Sequence, residues 1–339
     1  MKNIFYISVL VLLFASSCKN KNNKYDVDVS NINIKIKTKH FEKDLFKFNV
    51  DSSDFYINYY KQKYGEFFKL FNYQIVEMGS CEDPNYGKNL DLFVRYWKTE
   101  GMFDVLKKEF PNFDKEQLPK IEDAFKHYKY YFPNNYIPEI YTFFSSFGYS
   151  VVTLDSVMGV GIDKYLGWKN FNLYDKVGFS MYQKRRMTKE MIPVDLMRSI
   201  AESDYPFDNT NSDNFLDNII YEGKMQYYLN CMLPNTADTL KWRYTEKQLS
   251  WAVKYETKIW NYIAEKRLLF STDKNEIRKF VGDAPYTSIF ADVSAPRAGA
   301  FIGFKIVENY MIKNPKISLK ELMEEKDARK ILAGAKYNP

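Results

Sequence analysis

The chain has 339 residues, a formal net charge of +6 and an unusual aromatic load of 28 tyrosines and 27 phenylalanines. Its mild basic excess is dispersed over Lys- and Asn-rich polar positions, so nothing resembles a nucleic-acid footprint and no nucleic-acid partner is expected. The aromatic content supplies large faces for a sizeable core, and three cysteines are too few for a disulfide framework.

Met1-Lys2-Asn3 precedes an apolar run from Ile4 to Ala15, which closes on Ala15-Ser16-Ser17-Cys18. A dozen apolar residues fall short of the roughly twenty needed to span a bilayer, and small residues at the end suit a signal peptidase. The pattern is that of a bacterial lipoprotein signal over 1–17, with Cys18 as the lipid-bearing first residue of the mature chain. The competing reading is an ordinary secretory signal with a chance cysteine. Acyl chains on Cys18 add about 0.8 kcal/mol per buried methylene, and two or more hold a domain at a membrane durably. No second apolar stretch approaches spanning length, so membrane attachment rests on Cys18.

Residues 18–30 are polar and aperiodic and read as a lipidated, flexible tether. No acidic run follows Cys18, which argues for a protein facing the periplasm. Ile32, Ile34 and Ile36 alternate with polar residues as in a half-buried strand. From Phe41 to Lys129 apolar groups recur at three and four residues, giving a mainly helical lobe over 31–131. A turn cluster at Phe132-Pro133-Asn134-Asn135 opens the second lobe, 132–339, compact with the first. It begins with β-rich runs at Ile137–Phe144, Tyr149–Leu154 and Val157–Ile162.

Helices are then expected from Ile192 to Glu202, with Pro193 early, and from Phe215 to Met232, beyond a polar loop at Asp208–Asp213. A long one follows from Thr245 to Leu269, another over Phe301–Ile312, and a last one opens at Ser318 with a capping-box pattern. Gly299 and Gly303, four apart, point to tight helix packing, with a close-approach pocket as the other reading. Cys81 and Cys231 can pair in an oxidising envelope, but spacing gives no geometry. The fold class is α+β, predominantly α-helical, with a small sheet.

A small sheet followed by a helix, a loop and a helix carrying Glu222-Gly223 resembles the core of gluzincin-type zinc peptidases. Those enzymes place His-Glu-x-x-His on the first helix and a glutamate ligand on the second. Here the only histidines are His40 and His127, both upstream and far apart, so that motif cannot exist. Arg198 and Glu202 occupy the region instead, and an arginine repels a divalent cation. A carboxylate site from Asp195, Glu202 and Glu222 is the residual metal reading, with solvated or ion-paired acids as the plainer one. No Gly-x-Ser-x-Gly elbow or phosphate-binding loop is present. The sequence points to no cofactor, no metal and no catalytic residue.

Val160-Gly161-Ile162-Asp163, Arg198-Ser199-Ile200-Ala201-Glu202, Ile220-Tyr221-Glu222-Gly223-Lys224, Gln248-Leu249-Ser250-Trp251, Pro296-Arg297-x-Gly299 and Ser318-Leu319-x-Glu321-Leu322-Met323, in this order behind a lipoprotein signal, resemble the gliding-motility lipoprotein B (GldB) family of Bacteroidetes. The resemblance implies a non-enzymatic envelope lipoprotein needed for gliding, linked to type IX secretion, with other envelope proteins of those systems as partners. It makes the fold a degenerate peptidase in which Glu222 and Gly223 persist as architecture or as part of a cleft. A buried glutamate must be paired, and Arg198 or Arg297 is the expected partner. Arg198, Glu202, Glu222, Gly223 and Arg297 thus form the candidate cleft or structural ion pair.

Overall fold

The computed structural model describes residues 23–208 and 213–339. The expected signal segment, Cys18 with residues 19–22, and residues 209–212 of the polar loop lie outside the described residues. The fold is mainly helical around one small mixed sheet, as the sequence pattern indicates.

Four short strands, β1 (Thr38–His40), β2 (Glu139–Phe143), β3 (Val151–Thr153) and β4 (Val157–Gly161), run in the spatial order β1-β2-β4-β3. β1 and β4 lie parallel to β2, and β3 is antiparallel to β4. The strand expected at Ile32–Ile36 is displaced to Thr38–His40. Burial does alternate over Ile32, Ile34 and Ile36, but the register Thr38↔Ile140 would set Ile36 opposite Pro138, which has no N–H to give. The Ile36 N–H instead donates to Glu122 Oε1 at 3.0 Å.

The β1–β2 crossover is the whole amino-terminal helical lobe, which includes α1 (Ser53–Tyr64), α2 (Tyr86–Thr99) and α3 (Leu118–Tyr131). Phe41, directly after β1, is fully buried with its ring against Tyr60, Tyr64, Phe67, Phe68 and Phe71. Beside it Asp44 accepts hydrogen bonds from Lys63 Nζ (2.6 Å), Tyr64 OH (2.7 Å), Tyr59 OH (3.0 Å) and Lys47 Nζ (3.1 Å). Burial alone would raise this carboxyl. The four donors, led by Lys63 and Tyr64, outweigh it and hold the group at about 2.

The second lobe is built on α4 (Ile192–Asp204) and α5 (Phe215–Met232), then α6 (Glu246–Lys254), α7 (Glu256–Glu265), α8 (Lys274–Val281), α9 (Ala298–Lys313), α10 (Leu319–Glu324) and α11 (Ala328–Ala335). The long helix expected over Thr245–Leu269 breaks at Tyr255, although no Gly or Pro stands there. Tertiary packing explains the break. Trp251 and Tyr262 both contact the Phe290 ring, at 5.6 and 5.5 Å between centroids, whereas a straight helix would set their Cα atoms about 16 Å apart.

Helix α5 is apolar on nearly all sides, as a central helix must be, and packs against α3, α4, α8, α9, α10 and α11. Its closest approach is to α9. A Cβ on Gly223 would lie 2.3 Å from the Gly303 carbonyl carbon, and one on Gly303 would lie 1.7 Å from the Ile219 carbonyl oxygen. The Gly299/Gly303 face is therefore a packing face. Ser318 and Glu321 form the expected capping box, and a single connected apolar core runs through both lobes. Cys81 is half-buried and Cys231 buried, and both are free thiols. Burial pushes the Cys231 thiol up to about 12, so it is inert at neutral pH.

The stretch expected as a flexible tether is docked where it is described. Asn23 Nδ2 donates to the Pro234 carbonyl at 2.6 Å, and Lys24 Nζ and Tyr25 OH both reach Glu308 Oε1, at 2.7 and 2.9 Å. Tyr25 also packs edge-on against Tyr227.

Two measurements check this packing. Gly303→Ala is expected to cost about 3 kcal/mol or more in denaturant unfolding, because backbone rather than a movable side chain occupies the space. Asp44→Asn is expected to cost about 2 kcal/mol at neutral pH. Since the folded carboxyl titrates near 2 against an ordinary 3.8, the gap between natural and variant proteins should persist above pH 4. It should then close as pH falls through 2.

Candidate functional site

Pro193 in the first turn of α4 pre-sets the helix, and Arg198 and Glu202 stand one turn apart on it. Arg198 Nε donates to Glu202 Oε1 at 2.6 Å, while Arg198 Nη2 reaches across to α5 and donates to Glu222 Oε1 and Oε2 at 3.0 and 3.1 Å. Arg297, at the head of α9, donates through Nη2 to Glu222 Oε2. The structure thus brings together Arg198, Glu202, Glu222 and Arg297, with Gly223 beside them at the α5–α9 contact.

Side-chain exposure separates the members: Glu222 and Arg198 are 16 % and 15 % exposed, whereas Glu202 is 47 % exposed. Burial pushes the Glu222 carboxyl up, but Arg297 and then Arg198 outweigh it and hold the group below its ordinary value. Burial likewise disfavours the Arg198 cation, and Glu222 and Glu202 more than restore it. This is a two-arginine clamp on one carboxylate, with a third, partly solvated ion pair at its edge.

Arg297 is held there at some backbone cost. Its φ is +54°, the left-handed region, which is unfavourable for a residue with a Cβ. Buried hydroxyls fix the preceding loop: Thr287 Oγ1 donates to the Ala295 carbonyl at 2.8 Å and accepts from the Ala298 N–H at 3.0 Å, and Tyr244 OH donates to the Pro296 carbonyl at 2.6 Å.

A cavity of about 360 Å³ opens over the clamp, between the Gly148–Val151 loop, α4 and the Arg243 and Arg297 side chains. Asp195 lines it and is neutralised in the same way: Arg243 Nη2 donates to Oδ1 at 2.7 Å and Tyr165 OH to Oδ2 at 2.8 Å. Arg243 too has positive φ, +57°. The loop on the far wall leaves β2 through Ser146 and Phe147, both at positive φ, and is pinned by Asp163. That carboxylate accepts from Ser145 N at 2.9 Å, from Ser145 Oγ at 2.8 Å and from Phe147 N. Asp163 is fully buried, and burial pushes its carboxyl up.

Sequence reading found Asp195 and the clamp residues but missed Arg243, Tyr165 and the Thr287 staple. Nothing in their spacing signals them, because each arrives from a different element. The carboxylates Asp195, Glu202 and Glu222 do not converge on a shared point for a cation: each faces an arginine. Among the described residues no group of three or more His, Cys, Asp or Glu is placed to hold a metal ion. His40 pairs with Thr142 and Asp114, and His127 with the Asp123 carbonyl; neither lines the cavity.

The family model described as gliding motility protein GldB matches residues 22–339, and the chain belongs to that family. No curated protein and no solved structure matches it. Among the described residues no helix is long and apolar enough to cross a membrane.

Removing the clamp's charge should be far more damaging than removing the rim charge. Glu222→Gln leaves the Arg297 guanidinium without its carboxylate and Arg198 with only its rim pair to Glu202, and is expected to cost about 3–5 kcal/mol. Glu202→Gln, at an exposed i,i+4 pair, should cost under about 1 kcal/mol. Parallel chemical denaturation of the two variants makes the comparison.

Proposed function

We propose that this gliding-motility lipoprotein is a non-catalytic component of the cell envelope. In this reading lipid on Cys18 holds it to a membrane with the folded body facing the periplasm, where it supports the gliding machinery and the linked type IX secretion apparatus by contact with their other envelope proteins. Membership of the GldB family over residues 22–339 supports the motility role. The observation that carries the non-catalytic half is the state of Glu222. Both its oxygens are occupied by arginines, Arg198 and Arg297, which line the cavity in front of it, while the carboxylates that do line that cavity, Asp195 and Glu202, are paired and no histidine lines it. A general base needs a free lone pair within reach of a substrate proton, and a metal site needs donors without competing cations.

The degenerate-peptidase reading fits the same cluster. The order of small sheet, α4 and α5 is the order expected of such a core, and Arg198 with Arg297 supplies beside Glu222 the positive charge that a divalent ion would bring. In its place the arginines are fixed, and the cluster acts as architecture. A ligand-binding role for the remnant cleft, toward envelope peptides or peptidoglycan fragments, is favoured by one observation: the 360 Å³ space is lined by Ser150, Asp195, Arg243 and Arg297, a size and polarity suited to a small charged ligand.

Deletion of the gene should abolish single-cell gliding and colony spreading. The natural protein should restore both, and Cys18→Ala, expressed at equal level, should restore neither. Unchanged movement in the deletion strain would overturn the motility role. Rescue by Cys18→Ala would overturn the anchor. Cleavage of a peptide or peptidoglycan fragment by the purified protein would overturn the non-catalytic assignment.

A further inference from the structure

A second cavity is larger than the one over the clamp. About 710 Å³ lies between the start of the described chain, the Pro234–Trp242 segment, α6 and α9. Trp242, Leu249, Val253, Phe301 and Phe304 give it apolar walls, and Lys305 and Glu308 lie on its polar side. Asn23 and Tyr25 line the same cavity, so the described chain begins on this face. The docking is specific: Glu308 holds Lys24 and Tyr25 on Oε1 and Lys305 on Oε2 (2.8 Å). Burial pushes the Glu308 carboxyl up, but the two lysines outweigh it and keep it below its ordinary range.

We propose that the face bearing this cavity is the protein's membrane-facing surface, seated against lipid headgroups by the Asn23–Tyr25 strap. The proposal rests on the reading of Cys18 as the lipid-bearing residue. Four residues lie between Cys18 and Asn23, and five steps of at most about 3.6 Å give a reach of about 18 Å. A globule of this length has a radius of gyration of roughly 20 Å and hence a diameter near 50 Å. With the strap docked, the cavity face stays within about 18 Å of the bilayer, and the opposite side of the molecule, about 50 Å across, cannot reach it.

The face is also chemically suited to lipid. Its apolar walls can take the first methylenes of a chain, and Lys305 and Glu308 stand at their polar edge. Val253, 60 % exposed on α6, stands at the contact.

The test uses the full-length, lipidated protein carrying Cys81→Ser, reconstituted into phosphatidylethanolamine–phosphatidylglycerol vesicles that contain a headgroup-level nitroxide lipid. A fluorophore is placed at Val253→Cys or, as reference, at Leu92→Cys on α2, which is 67 % exposed and outside the cavity. Quenching at Val253 is expected to exceed that at Leu92 severalfold. Lys24→Ala combined with Tyr25→Ala should abolish the difference while the protein stays vesicle-bound. Equal quenching at the two positions in vesicle-bound natural protein would overturn the orientation and leave the anchor standing. Failure of the natural protein to partition with vesicles would overturn the anchor, and the orientation with it.

Discussion

Contact between the backbones of α5 and α9 is the constraint on which the second lobe depends. Gly223 and Gly303 let the two helices approach until a Cβ on either would collide with the other's main chain. At ordinary helix spacings of 8–10 Å this interpenetration would be lost. Its chemical consequence lies one residue away. Glu222 precedes Gly223, and Arg297 stands just before the α9 helix that carries Gly303, so close packing delivers the Arg297 guanidinium to the Glu222 carboxylate. The steric rule and the ion cluster are therefore one feature, in which small residues set a distance and charged residues use it.

The cluster also explains why three costly features persist together. A buried carboxylate is unfavourable without partners, and arginines at φ +54° and +57° are unfavourable without compensation. Each offsets another's cost: Arg297 neutralises Glu222, Arg243 neutralises Asp195, and Arg198 bridges α4 to α5. In this neutral set, substitution at one member exposes the cost of its partners. A set of this kind specifies how the helices meet more than it adds net stability.

Much of this was legible in the residues, and the exceptions have physical causes. The period-3.6 pattern located α4, α5 and α9, because each buries an apolar face against another helix. The β-rich runs located β2, β3 and β4. Glu222 with Arg198 and Arg297 could be singled out because a glutamate amid Ile219, Ile220 and Met225 has no solvent to turn to and few cations nearby in the fold's order. The first strand was misplaced because alternation reports burial, whereas a ladder needs a partner with N–H groups, and Pro138 withholds one. The break at Tyr255 was invisible because Phe290, thirty-five residues away, causes it. Arg243 was invisible because a left-handed arginine after a short helix has no sequence signature apart from the carboxylate it meets. The docked strap escaped notice because a polar, aperiodic segment looks free until Glu308 is placed beside it.

Helix α9 ties these parts together. Its head is fixed by the Thr287 staple and carries Arg297 into the clamp. Its middle is the glycine contact with α5, and Phe304, Lys305 and Glu308 farther along form the wall that receives the strap. From Arg297 to Glu308 is about 16 Å of helix, rigid because it is packed throughout. A pull on the amino terminus thus enters the fold at Glu308, through two hydrogen bonds on one carboxylate oxygen. It is borne along α9 by the α5 contact and resisted at the far end by a buried ion cluster. Because the strap's seat, the glycine contact and the clamp share one helix, none of the three can shift without displacing the other two.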